Sequence, residues 1–311
     1  MARRRKGRSV DGILVLDKPQ GRSSNGAMVT TRAIFNASKA GHTGALDPLA
    51  TGVLPICFGE ATKFSQFLLD ADKEYRSHFV FGQQTDTGDA EGSVLAELDA
   101  SSLTSAELES HISKLRGDIL QVPPMYSALK RDGKPLYELA RKGITVERAA
   151  RPVSIREFEL ESFTPGALAV AVVRVRCSKG TYIRSLAEDL GAAIGCGAHV
   201  ASLRRLQAGP FVEAQSVSTE VLQALRDAED FEALDSLLLP ITDALAHIPQ
   251  LSLGETAAYY LLQGQAVQVS GAPTSGTVVL LAEDRKFLGI GEILDDGRVT
   301  PRRLLDRKSV V

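Results

Sequence analysis

Apolar and polar positions change period several times along this chain, and each change marks an element. Ile13, Leu14, Val15 and Leu16 form an unbroken apolar run that Lys18 and Pro19 end, which predicts a short buried strand. Ser23, Ser24 or Asn25 can cap a helix running to about Phe35. Phe64, Phe67 and Leu68 fall at helical spacing and predict a second helix over residues 60–69. Residues 75–81 alternate aromatic or small side chains with polar ones, the mark of a strand. Thr104 and Glu107 have capping-box spacing and open a helix to about Arg116, closed by Gly117. Pro123-Pro124 bars regular structure, and Pro135 opens a short helix that Gly143 stops after Lys142. Residues 168–177 (LAVAVVRVRC) predict a strand, followed by a loop through Arg184 and a helix to about Ile194.

The pattern changes again near Pro249. Beyond it lie short β-like runs at 266–269, 278–281 and 287–290, separated by Gly and Asp, which predict a compact, mostly β module of about sixty residues. The 311 residues therefore divide into a basic arm over 1–9, a large domain over 10–248 and a small one over 249–311. There is no internal repeat. Hydrophobic residues at 44 % and charged ones at 24 % are ordinary for a soluble protein with a sizeable core. No apolar run approaches the roughly 18–20 residues of a membrane span, and Lys18-Pro19 interrupts the only N-terminal stretch that could serve as a signal core. A cytoplasmic protein is the expectation.

Cys57, Cys177 and Cys196 are odd in number and widely spaced, which fits buried free thiols and neither a disulfide framework nor a zinc site. The overall charge of −2 hides an asymmetry: residues 219–248 hold seven acids and one base, and 249–311 seven of each, so 1–218 carry a net +4. A basic body with Arg3, Arg4, Arg5, Lys6 and Arg8 at its start suits a polyanionic partner, although solvated charge explains it equally well.

The segment Gly41-His42-Thr43-Gly44-Ala45-Leu46-Asp47-Pro48-Leu49-Ala50-Thr51-Gly52 frames one carboxylate with three glycines and no other acid. Pro48 biases Asp47 toward extended geometry and glycine permits close approach of another chain. Taken alone, the loop fits a nucleophile or general base, and fits an Asx-type turn at least as well. No GxSxG elbow, P-loop, GxGxxG or HExxH occurs, and His42, His78, His111, His199 and His247 are scattered.

GHTGALDPLATGVLP resembles the catalytic-aspartate motif of the bacterial tRNA pseudouridine-55 synthases, the TruB type. GILVLDKPQG at 12–21, Lys73-Glu74-Tyr75, CSKGTYIRSLAEDLG at 177–191, and the stretch from Gly195 through His199 to Leu206 are similar to the same family, in the same order. The resemblance implies an α+β catalytic domain with a mixed, mainly antiparallel central sheet, flanking helices and a PUA-like C-terminal β module. It implies that Asp47 attacks the target uridine, that Tyr75 stacks on the flipped uracil and is a candidate to remove its C5 proton, and that Arg184 pairs with the aspartate. By the same token Tyr182 and Leu203 line the uracil pocket, His42 contacts the distorted RNA loop and Lys18 supports the site. The implied partner is tRNA, held at the T stem-loop and, through the C-terminal module, at the acceptor end, by a monomer without cofactor, metal or obligate protein partner.

The chemistry agrees with that assignment. Isomerising uridine breaks C1′–N1 and makes C1′–C5, with no redox change and no second substrate. Burial raises a carboxyl's pKa, and a guanidinium within about 4–6 Å lowers it by roughly 1–3 units, the part Arg184 would play. Stacking on Tyr75, worth roughly 1–3 kcal/mol, offsets part of the few kcal/mol that base extrusion costs. Lys63, Lys73, Arg76, Lys130, Arg131, Lys134, Arg141, Lys142, Lys179, Arg204 and Arg205 are candidates for phosphate contact. Two other functions are compatible with the residues. An RNA-folding factor would bind without needing Asp47, and a carboxylate nucleosidase would release free uracil but lacks a second paired acid.

Overall fold

The structure, a computed structural model, describes residues 7–131 and 133–305. The apolar run at 13–16 lies within strand β1 (Gly12–Lys18). Its alternate residues serve two cores, with Leu14 and Leu16 in one and Ile13 and Val15 in the other, so both faces are covered and the run does not alternate. Helix α1 (Ser24–Ile34) follows, its first turn capped by the Ser23 hydroxyl. Then come β2 (Ala40–His42), β3 (Thr51–Phe58), α2 (Ser65–Asp70) and β4 (Lys73–Phe81). Next in the chain are α3 (Ser105–Ser113), β5 (Gly117–Gln121), α4 (Leu136–Ala140), β6 (Arg151–Thr164) and β7 (Ala169–Cys177). Helix α5 (Ile183–Ile194), β8 (Ala198–Ala208), β9 (Val217–Ser218), α6 (Thr219–Asp227) and α7 (Phe231–Ser236) complete the large domain.

The main sheet runs β9-β1-β3-β8-β4-β7-β6-β5. It is mixed and mainly antiparallel, with β1–β9 and β3–β8 its parallel pairs along that path. β4 and β7 bury every second residue, as their alternating sequences require. Between β3 and β8 the chains come so close that a Cβ on Gly52 (φ +97°) would lie 2.2 Å from the Arg205 carbonyl oxygen. Only glycine fits there.

After Pro249 the chain forms a separate sheet of β10 (Gln250–Leu253), β11 (Gly276–Ala282), β12 (Phe287–Ile293) and β13 (Val299–Leu304), joined by helix α8 (Glu255–Leu262). This module shares a core with the large domain: Val279, Leu281 and Ile290 pack with Ile13, Val15, Val53 and Phe64. The Phe64 and Phe287 rings meet edge to face at 5.1 Å.

Several expectations change. The helix over 60–69 is instead a 3-10 turn (Gly59–Lys63) followed by α2, because Phe64 (φ −110°, ψ 4°) turns into the second core. Helix α3 stops at Ser113, and Gly117 (φ +90°) starts a strand rather than closing the helix. Residues 266–269 make a single bridge, Val267 to Val299, and no strand. Of the basic arm, residues 1–6 lie outside the described residues. Arg8 is not free: its backbone bonds Asn36 and Ser38, and its guanidinium pairs with Asp235 and lies over Phe231. The three cysteines are buried free thiols.

Candidate active site

Asp47 sits in the loop between β2 and β3, and neighbouring segments fix that loop from several sides. The Ser24 hydroxyl, at the start of α1, donates to the Leu46 carbonyl at 3.1 Å and accepts from the Leu46 amide at 2.7 Å. The Pro48 carbonyl accepts from the Gly21 amide at 2.8 Å and from Lys18 Nζ at 3.3 Å. Arg205 Nη2 donates to the Gly44 carbonyl at 3.0 Å, and the Thr43 amide donates to Pro55. The residues on either side of Asp47 are thereby held by β1 and α1. Its side chain caps no turn and turns instead toward α5.

There Arg184 meets it at two points. Nη2 donates to Oδ1 at 3.1 Å and Nε lies 2.9 Å from Oδ2. The Arg184 side chain is 4 % exposed and that of Asp47 37 %, so the guanidinium lies beneath a carboxylate that still faces the cleft. Arg184 is held in turn by the Thr87 carbonyl (2.8 Å) and the Tyr126 carbonyl (2.7 Å), with Asp89 3.7 Å from Nε. Burial pushes the Asp47 carboxyl above its ordinary range. The Arg184 guanidinium pulls it back and Asp89 pushes it further up, so the arginine opposes the rise without reversing it.

The carboxylate opens into a cleft of about 1250 Å³, beyond the roughly 300–1,000 Å³ typical of small-ligand pockets. Tyr75, Tyr182 and His42 line it together with Asp47 and Arg184. Tyr75 is buried on β4, directly opposite Arg205 of β8. Burial raises its hydroxyl's pKa, with the Arg205 guanidinium opposing. Tyr182 caps α5 and is pinned by the Gln121 side chain, which donates to its carbonyl (3.0 Å) and accepts from its amide (2.8 Å). His42 is half-buried, with Nδ1 lacking a hydrogen-bond partner, and burial with the Arg205 charge pushes its pKa down.

Lys18 does not face the cleft. It is fully buried, donating to the carbonyls of Pro19, Arg22 and Pro48, and burial lowers its pKa to about 8. Leu203 packs in the main core, in the same cluster as Tyr75 of the cleft wall, and is not among the cleft-lining residues. Among the candidate phosphate contacts, Lys73 and Arg205 are buried rather than on the surface. Arg76, Lys179 and Arg204 are engaged with Glu161, Asp70 and Asp17.

Sequence reasoning missed Ser24, Asp89, Gln121 and the inward role of Arg205. The Arg204-Arg205 pair in a strand carried a signal, since neighbours in a strand point to opposite faces and one must turn inward. Among the described residues no group of three His, Cys, Asp or Glu side chains is placed to hold a metal ion, and no helix is long and apolar enough to cross a membrane.

Comparison with known proteins gives matches along the whole chain. Residues 32–183 match the model of the TruB family pseudouridylate synthase N-terminal domain. Residues 184–246 match the tRNA pseudouridylate synthase B C-terminal domain, and 249–305 the C-terminal model of pseudouridine synthase II TruB. A tRNA pseudouridine synthase B of Saccharophagus degradans is 55 % identical over 98 % of this chain and 99 % of its own. One from Pseudomonas aeruginosa is 56 % identical over 96 % and 97 %. Among solved structures, a Cbf5-Nop10-Gar1 complex superposes with a TM-score of 0.73 at 24 % identity, covering 96 % of this chain and 86 % of that one. An H/ACA RNP bound to a substrate RNA gives 0.73 at 22 % over 100 % and 93 %, a likeness of fold.

Proposed function

The chain belongs to the TruB family of pseudouridylate synthases, and from that membership and the geometry of the cleft we propose that it isomerises uridine 55 in the T loop of tRNA. It is a tRNA pseudouridine synthase, an isomerase. The observation that carries the residue-level reading is the Asp47–Arg184 pair at the floor of a cleft walled by Tyr75 and Tyr182. In this reading the target base leaves its stack and enters the cleft. Asp47, ionised and held by Arg184, is the nucleophile, and Tyr75 offers the ring on which the uracil stacks. The floor is closed by protein from below, which limits water at the loosened base. His42 meets the RNA loop, and Lys18 acts from beneath by fixing the Pro48 carbonyl. The C-terminal module takes the acceptor end.

The deciding experiment incubates a tRNA transcript with the pure protein and no added cofactor, then maps modified uridines. Pseudouridine at position 55 alone is expected. Free uracil in its place would identify a nucleosidase, and tight binding without any product would identify an RNA-folding factor.

A further inference from the structure

Arg204, Arg76 and Lys179 are all engaged with carboxylates, but the three pairs are built differently. Arg204 grips Asp17 through two bonds, at 3.0 and 2.9 Å, and pairs with Glu213 as well. Arg76 shares Glu161 with Arg174, which reaches on to Glu74. Lys179 makes a single bond among the described residues, Nζ to Asp70 Oδ1 at 2.7 Å, with side chains 61 % and 46 % exposed. Of the three pairs this is the one that lines the cleft. Asp70 ends α2 and Lys179 follows β7, side by side because Lys73 and Cys177 are register partners between β4 and β7. Both are mounted on fixed backbone. Asp70 Oδ2 accepts from Gln66 Nε2 at 3.0 Å, and Ser178, next to the lysine, bonds Ser154 through its amide and its hydroxyl. An exposed single-bond pair contributes little to stability, so it opens at small cost. Arg141 and Arg151 line the same cleft, exposed and without a carboxylate partner among the described residues. Lys179 is thus the exposed cleft cation that carries its own anion.

We propose that Asp70 is a built-in competitor for Lys179: the lysine binds a backbone phosphate of the tRNA, and the carboxylate holds the lysine when no RNA is present and loosens the RNA when it is bound. The inference rests on the reading of the cleft as a site for an extruded uridine. A base that enters the cleft stays joined to its ribose, so its flanking phosphates must lie at the mouth, where Lys179 stands. Phosphate and carboxylate accept from the same ammonium. Exchanging one for the other needs rotation of one exposed side chain and no movement of backbone. Once a phosphate is seated, Gln66 and the end of α2 keep Asp70 beside it, and like charges repel. Isomerisation leaves every phosphate in place, so the backbone holds substrate and product equally well. An acid next to the phosphate-binding cation lowers that shared affinity and favours departure of the product.

The test measures equilibrium binding and dissociation of a T-arm stem-loop that already carries pseudouridine, across a salt series. Full-length wild type, Asp70→Asn, Lys179→Met and the double variant are compared. Both side chains lie on the surface, so neither substitution disturbs the core. Asp70→Asn, isosteric and neutral, should tighten binding about fivefold at low salt and slow dissociation by a similar factor. It should also steepen the slope of log affinity against log salt by about one. Lys179→Met should weaken binding. In that background the gain from Asp70→Asn should shrink to about twofold or less, because no phosphate is then drawn to the carboxylate. An equal gain with and without Lys179 would mean that Asp70 repels RNA in general. Unchanged affinity in either single variant would leave an ordinary surface ion pair, and each of these results overturns the proposal. Wild type that neither binds this RNA nor makes pseudouridine in the unmodified stem-loop would instead defeat the reading of the cleft, a separate outcome.

Discussion

The floor of the cleft and its rim are built on opposite principles. Floor residues come from the β2–β3 loop, the central strand β4 and α5, and each is tied down by its neighbours: Asp47 through the clamped loop, Arg184 through four oxygen-bearing neighbours, Tyr75 through its register opposite Arg205. The rim, residues 123–131 and 133–148, has one short helix, α4, and two two-residue strands. It supplies Tyr126, Ala128, Tyr137 and Arg141 to the cleft wall, and leaves Ile144 exposed. A few side-chain bonds hold it, from Arg131 to the Glu147 carbonyl, from Arg148 to the Pro123 carbonyl and from Arg184 to the Tyr126 carbonyl. Chemistry needs atoms fixed to fractions of an ångström, and a surface that receives a folded RNA must adjust. Floor substitutions should therefore change rate and spare affinity, and rim substitutions should do the reverse.

The sharpest break is Asp47→Asn, which keeps the shape and removes the nucleophile. Turnover should fall by at least about a thousandfold, while the dissociation constant for the stem-loop stays near wild type. A variant that still turns over at the wild-type rate would remove Asp47 from the chemistry. Arg184→Ala comes next, with a loss of about a hundredfold. It also has a pH signature. The attacking carboxylate must be ionised, and its pKa is raised by burial, so wild-type activity should decline on acidification at a pH above the ordinary carboxylate range. Without the guanidinium that opposes the rise, the decline should start at a still higher pH. Single-turnover rates against pH measure this, and an acid limb that does not move would mean that Arg184 does not set the charge of Asp47. Because Arg184 also holds the Tyr126 carbonyl, it joins floor to rim, and a modest loss of affinity should accompany its removal.

How much of this contrast was legible beforehand follows from what a sequence records. Local signals were readable: a helix cap among Ser23, Ser24 and Asn25, the alternation of β4, the strand-like run of β7 and the end of α5 near Ile194 all follow from neighbouring residues. Three long strands, β3, β6 and β8, were not read. Pro55, Pro152 and the Arg204-Arg205 pair look unsuited to strands until tertiary packing accepts them. The site was legible through family resemblance and not through chemistry, since the Asp47 loop alone fits a turn. Leu203 belongs to the right motif and packs in the same core cluster as Tyr75, two residues before Arg205 of the cleft wall. The module after Pro249 was legible as β structure, but its shared core with β1 and β3 is a long-range fact. Leu281→Ala should accordingly destabilise the whole chain by about 2–5 kcal/mol, seen as one unfolding transition shifted down. Two separable transitions would show that the module unfolds on its own.

The smallest effect belongs to the rim. Arg141 is exposed, lies over the Tyr137 ring at 5.3 Å and lines the cleft, without a carboxylate partner among the described residues. If it neutralises one phosphate of the bound RNA, Arg141→Ala should weaken binding and reduce the slope of log affinity against log salt by about one. Single-turnover rate at saturating enzyme should stay at the wild-type value, because no floor contact passes through this residue. A salt titration of stem-loop binding separates the outcomes. An unchanged slope removes Arg141 from the RNA contact. A reduced saturating rate with an unchanged slope would place it in the chemistry, and the division between a fixed floor and an adaptable rim would then fail at the position where the rim should be most independent.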